Sequence, residues 1–222
     1  MSTSLWRRLL SGNELRKTRF HDEKGNAVGW DALLHAPLAL MTAAGKLAGL
    51  RPTLPMISFR AIRVIDGLLT PQSKVLEFGS GYSTLWFAQR CAELVSIEDD
   101  PHWGAVVRRL LAEAGLGHVR YEFRDLASYS RLDTYPDAYF DFVLVDGKDR
   151  TGCMRTALTK VRPGGWIYLD NSDKDMTRPE GDTRRAEALL AAEVVRRGGT
   201  LRSFTDFSPT NFFAEQGLLA RL

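Results

Sequence analysis

Cysteine is scarce in this chain. Cys91 and Cys153 are the only two among 222 residues, they lie far apart, and neither belongs to a CxxC pair. That excludes a disulfide-stapled scaffold, a thiolate metal knuckle and a dithiol redox site. Both are read as reduced, structural residues within amphipathic helices. Long unbroken apolar runs are also missing. The nearest candidate, "ALLHAPLALMTAAGKLAGL" at residues 32–50, is interrupted by His35, Pro37 and Lys46, which reads as a helix packed on the protein and not as a membrane span. The opening "MSTSLWRRLLSGNELRK" has arginines after its apolar residues and no apolar core before a cleavage site, so the expected compartment is the cytoplasm. Repeats and low-complexity tracts are absent. So is any Lys/Arg stripe of the kind that nucleic-acid backbones require, which argues against nucleic acid as a partner. The net charge of +3 resides entirely in residues 1–27, where Arg7, Arg8, Arg16, Lys17, Arg19 and Lys24 stand against Glu14, Asp22 and Glu23.

What the chain does have is ordinary globular content, 44% hydrophobic and 26% charged, enough for one α/β domain with an appendage. From residue 74 short β-branched runs alternate with amphipathic helical segments, the pattern of a parallel sheet covered on both faces. The expected strands are "KVLEF", "LVSIE", "VRYEF", "FDFVLVD", "GWIYLD", "LRSFTDF" and "FFAEQGLLAR". Asp100-Pro101 opens a helix that Gly115 stops, and Gly198-Gly199 ends another over residues 183–197. Phe59, Ile62, Ile65 and Leu69 share one face of a helix over residues 58–69. The last two strands are separated only by "SPTN", which predicts a hairpin and one antiparallel strand.

The stretch "LEFGSGYSTLW" at residues 76–86 follows the first strand and opens a helix. Gly79 and Gly81 let backbone come close to a ligand, beside the unpaired N–H groups of a helix start. Thr84 occupies the place of the third glycine of a dinucleotide fingerprint, which argues against a nicotinamide cofactor. Glu98 ends the next strand, where a carboxylate accepts ribose hydroxyls, and Asp125 follows the third, within reach of an adenine amino group.

These motifs, "VLEFGSGYST", "SIE", "RD", "FDFVLVDG" and "RPGGWIYLDN", together resemble the class I S-adenosylmethionine-dependent methyltransferases over residues 58–222. The resemblance implies a Rossmann-like α/β fold with a seven-stranded, mostly parallel sheet between helices, its last strand antiparallel. Residues 1–57 would form a basic arm and helical extension over the substrate. It also implies that Glu77, Gly79, Gly81 and Ser83 line the methionine and ribose part of S-adenosylmethionine, with Glu98 on the ribose and Asp125 on the adenine. Ser83 stands where the family's loop has its third glycine.

The fourth strand ends in "GKDR", not in the Asn/Asp-Pro-Pro-aromatic motif of base N-methyltransferases, and no Pro-Cys nucleophile is present, so base methylation is disfavoured. Asp146, Asp170 and Asn171 look like the three protein ligands of the catechol-type, Mg²⁺-dependent O-methyltransferases, a hard-oxygen set that suits such a cation. Lys148 follows Asp146 by two positions where the family's base follows by three. Acids at strand ends also serve to cap loops, and both readings stand at this point. Asp146 and Lys148 are the candidates for the base or for orienting the acceptor. Trp30, Met56, Phe59, Tyr82, Trp103, Tyr129 and Tyr135 are available for the substrate, and "DNSDKDMTRPEGD" at residues 170–182 has the length of a lid. The expected activity is transfer of a methyl group to a hydroxyl of a small molecule. Methylation of a protein or glycan, and a non-catalytic cofactor-binding module, are the alternatives. Room is left for a homodimer.

Overall fold

A computed structural model describes residues 15–222; Arg7, Arg8 and Glu14 of the basic arm lie outside them. Seven strands, β1 (Lys74–Phe78), β2 (Glu93–Glu98), β3 (Val119–Phe123), β4 (Phe140–Val145), β5 (Val161–Leu169), β6 (Thr200–Ser208) and β7 (Asn211–Arg221), form one sheet in the order β3-β2-β1-β4-β5-β7-β6. All neighbours are parallel except β7, which runs antiparallel to both β5 and β6. The expected hairpin is present: Ser208 pairs with Asn211 across Pro209 and Thr210, and Thr210 takes a left-handed φ of 69°.

Alternation along the strands divides the core into two layers. Leu76, Phe78, Val95, Ile97, Val143 and Val145 face α6 (Arg150–Lys160) and α7 (Asp182–Arg197), with Met154, Ala157, Ala186 and Leu190 buried between. Val75, Leu94, Phe142, Leu144 and Tyr168 face α3 (Phe59–Leu68) and α4 (Tyr82–Ala88). Asp100 caps α5 (Pro101–Glu113), its carboxylate accepting from the backbone N–H of His102 at 2.8 Å and Trp103 at 3.0 Å. Gly115 and Gly198 adopt the left-handed φ expected of helix stops.

Two expectations need correction. Cys91 is buried but lies in the turn between α4 and β2, because α4 ends at Ala88. The apolar stretch at residues 32–50 forms two short helices, α1 (Trp30–Leu33) and α2 (Ala36–Leu47), and only part of it packs on the domain: Ala32 and Ala39 are buried while Trp30, Leu34, Met41, Leu47 and Leu50 are exposed. Among the described residues no helix is long and apolar enough to cross a membrane.

The extension and the start of α3 are tied to β6 and β7 by polar and aromatic contacts. Asp206 accepts from the Arg60 backbone N–H at 3.0 Å and from the Ser58 hydroxyl at 3.3 Å, and His35 Nδ1 lies 3.0 Å away. Phe20 packs edge-on against Phe207 and Phe212. The proposed lid at residues 170–182 begins buried, with Ser172 and Asp173 fully covered, and Asp173 accepts from the Glu23 backbone N–H at 3.0 Å. Its first half therefore anchors the extension.

Candidate functional site

The strand order reverses between β1 and β4, where loops diverge to opposite faces and leave a crevice at the carboxyl ends. Backbone bonds continue beyond the strands and hold those ends level: Gly79 N–H donates to Ile97 O (3.0 Å), Asp146 N–H to Phe78 O (2.9 Å), Asp170 N–H to Val145 O (3.1 Å) and Arg124 N–H to Glu98 O (2.8 Å). Glu77, Glu98, Asp146 and Asp170 thus come to one edge.

Gly79 has φ of +95°, and a Cβ there would lie 2.8 Å from the Gly147 backbone nitrogen. The loops after β1 and β4 touch backbone to backbone, so glycine is required at this position. Gly81 is different. Its backbone is extended, and a Cβ would make only ordinary contacts, 3.8 Å from Ser83 Oγ and 3.9 Å from the Trp103 ring. The fold itself does not demand glycine there.

Glu77 is fully buried. Its Oε2 accepts from the hydroxyls of Thr84 and Ser96, both at 2.6 Å, and Thr84 Oγ1 accepts from the Gly81 N–H at 2.9 Å. Its Oε1 is buried with no partner. Burial pushes the Glu77 carboxyl up to about 7, against the hydrogen bonds from Ser96 and Thr84 that favour the anion.

Glu98, also buried, accepts from four donors: the backbone N–H and hydroxyl of Ser80 at 3.0 and 2.9 Å, and the N–H groups of Asp99 and Asp100 at 3.0 and 2.9 Å. Ser80 Oγ is also 2.8 Å from Tyr121 Oη. Asp125 is exposed and caps its own turn, accepting from the Ser128 hydroxyl at 2.6 Å and N–H at 2.9 Å; these bonds hold its carboxyl below the usual range.

On the far side of the switch point, Asp146 and Asp170 follow the neighbouring strands β4 and β5 and perturb each other's carboxyl. Burial raises both carboxyls. Asp170 is raised well above the usual range, with Asp146 and Glu215 adding repulsion, while Arg150 opposes the rise at Asp146. Arg150 Nη2 lies 3.2 Å from Asp146 Oδ1, 3.2 Å from the Asp146 carbonyl and 3.5 Å from Asn171 Oδ1. Asn171 Nδ2 donates to Glu215 at 3.4 Å, and Ser208 donates to the other Glu215 oxygen at 2.9 Å.

Asp146, Asp170 and Asn171 therefore lie at one end of neighbouring strands, but Lys148 is not among them. Its ammonium is exposed and pairs with Asp99 at 2.6 Å, on the Glu98 side, and that carboxylate raises its pKa further. Of the aromatic candidates, Phe59, Tyr129 and Tyr135 belong to the core. Trp103 stands against the glycine loop, its indole N–H donating to Ser80 O at 2.8 Å.

Several site residues escaped the sequence reading. Thr84 and Ser96, which hold Glu77, sit at spacings of 7 and 19 residues. Thr84 drew attention only as a missing glycine, although a hydroxyl at N3 of a helix that follows a carboxylate strand was a usable signal. Arg150 and Glu215 are linked only through Asn171, 21 and 44 residues away in the chain, and no local pattern marks that convergence.

Residues 76–172 match the family model described as a methyltransferase domain. A curated relative from Mycolicibacterium paratuberculosis, provisionally named an O-methyltransferase, is 25% identical over 123 residues, or 53% of this chain. The chain spans about half the length of that relative, 55%. The O-methyltransferase TomG from Streptomyces achromogenes, involved in tomaymycin synthesis and solved with S-adenosylmethionine, superposes with a TM-score of 0.62 at 26% identity, covering 86% of this chain and 95% of its own. The O-methyltransferase from Bacillus cereus, in complex with S-adenosylhomocysteine, gives a TM-score of 0.62 at 20% identity, covering 85% of this chain and 90% of its own, and it shares the fold.

Proposed function

We propose, from the match of residues 76–172 to the methyltransferase-domain family model, that the chain transfers a methyl group from S-adenosylmethionine to a hydroxyl of a small molecule. The observation that carries the reading is the pair formed by Gly81 and Glu77. A glycine stands where the fold tolerates a side chain, next to a buried carboxylate oxygen without a partner. Close approach of a ligand explains the first, and a cationic amino group explains the second.

Glu77, Gly79, Gly81 and Ser83 would hold the methionine end and Asp125 the adenine. Glu98 would take the ribose hydroxyls in exchange for the Ser80 hydroxyl, which keeps Tyr121 Oη as a partner. The cofactor supplies a methyl group activated by a sulfonium. As the bound cofactor would supply the methyl group to an acceptor hydroxyl held in line, Asp146 would orient that hydroxyl and take its proton. Alignment supplies most of such an in-line displacement, and the level strand ends provide it. Lys148, kept charged by Asp99, would hold the β4–α6 loop against the Glu98 turn. The two buried free thiols, Cys91 and Cys153, suit the reducing cytoplasm.

A panel of phenolic, vicinal-diol and sugar hydroxyl acceptors, scored by release of S-adenosylhomocysteine, tests the reading. Turnover with at least one hydroxyl acceptor is expected. Cofactor binding without turnover on any of them would point to the binding module instead, and turnover only on protein or glycan would move the substrate class.

A further inference from the structure

We infer that the guanidinium of Arg150 stands in the place of a divalent cation between Asp146 and Asn171, so that this site holds the acceptor oxygen with a built-in positive charge and without Mg²⁺. The inference deepens the proposed methyl transfer and rests on it for the acceptor's role.

Two of the three side chains of the expected metal set, Asp146 and Asn171, face one nitrogen, Arg150 Nη2, at 3.2 and 3.5 Å, and the Asp146 carbonyl joins them at 3.2 Å. Mg²⁺ requires about six oxygens at roughly 2.0–2.1 Å in octahedral array. A metal ion bound to the same oxygens would have to share their centre with a guanidinium of like charge. Among the described residues, no three His, Cys, Asp or Glu side chains converge to hold a metal ion.

The arginine is not a drifting surface side chain. It is the first residue of α6, and its backbone N–H donates to Asp182 at 2.6 Å, as that of Thr151 does at 2.9 Å. The preceding Asp149 accepts from Gly152 N–H at 3.2 Å and from the Ser130 hydroxyl at 2.8 Å. Its side chain is mostly covered and is clamped by Asp146, and its buried Nε–H has no partner. A guanidinium stays charged at any relevant pH and carries five donors in a fixed plane, so it suits an oxyanion forming beside Asp146.

Mn²⁺ binding, followed by electron paramagnetic resonance and by calorimetry on the full chain, tests this without reference to turnover. The wild-type protein is expected to show no Mn²⁺ site tighter than about 1 mM, the weak end of oxygen-ligand cation sites. Arg150→Met, checked for folding by circular dichroism, is expected to gain one. A tight wild-type site that Asp170→Asn abolishes would overturn the inference. So would an Arg150→Met protein that folds and still binds no Mn²⁺, since the guanidinium would then not be what occupies the cation's place. Methyl transfer by the wild type should be unchanged by EDTA, and its loss in EDTA would equally overturn the inference. Failure to bind S-adenosylmethionine would instead count against the proposed function, whatever the Mn²⁺ result.

Discussion

The two halves of the sheet edge treat their carboxylates in opposite ways. On the β1–β2 side, Glu77 and Glu98 are surrounded by neutral donors, hydroxyls and backbone N–H groups drawn mostly from the adjoining loop. On the β4–β7 side, Asp170 is repelled by both Asp146 and Glu215, and Arg150 pairs with Asp146 as the counter-charge. The first arrangement is a rigid cradle whose geometry is set before any ligand arrives. The second concentrates charge in a partly covered site, where the proposed function would have it act on a reacting group. On that proposal, the difference separates a half built to hold from a half built to react.

Breaking the cradle at its tightest point should have the largest effect. Gly79→Val would force a β-branched residue into φ of +95° against the Gly147 backbone 2.8 Å away, and a loss of at least ~3 kcal/mol is expected, read as a collapse in thermal midpoint or in folded yield. Next, Thr84→Val keeps the shape but leaves the Gly81 N–H without its acceptor. Denaturant unfolding should show a loss of about 1–3 kcal/mol, the cost of one buried unsatisfied donor.

Glu77 makes the β1–β2 side sensitive to pH. Its carboxyl rises from 4.5 to about 7 on folding, so the native state binds the extra proton between those values. Its contribution is therefore fully present below pH 4.5 and is lost as pH climbs towards 7, at no more than about 1.4 kcal/mol per pH unit. Stability measured across this window should decline in the wild type and flatten in Glu77→Gln. The smallest effect is expected at Lys148. Its pair with Asp99 is exposed on the lysine side, and Lys148→Ala should change stability by less than about 1 kcal/mol. Turnover should persist, whereas its abolition would restore the lysine as the base.

Legibility in the sequence follows the same division. The cradle is made from residues close in the chain, Gly79 to Thr84 behind Glu77, and strand alternation fixed the register that carries Glu98 one strand over. All seven strands and the terminal hairpin could be read for the same reason, because period-two burial and turn residues are local signals. The reacting half depends on convergence. Arg150 reaches Asn171 across 21 positions and Asn171 reaches Glu215 across 44. Lys148 could be placed by spacing but not by direction, since Asp99 draws it to the other half. The extension misled for a related reason: α2 is apolar nearly all round, so its sequence did not show which face would meet β7.

Binding of S-adenosylmethionine at the β1–β2 edge is read out by calorimetric titration of the wild-type chain alongside Glu98→Ala. One molecule should bind per chain in the wild type, with affinity at least about tenfold weaker in the variant, the value of ~1.4 kcal/mol in lost carboxylate bonding. No binding to the wild type, or equal affinity in both proteins, would contradict it.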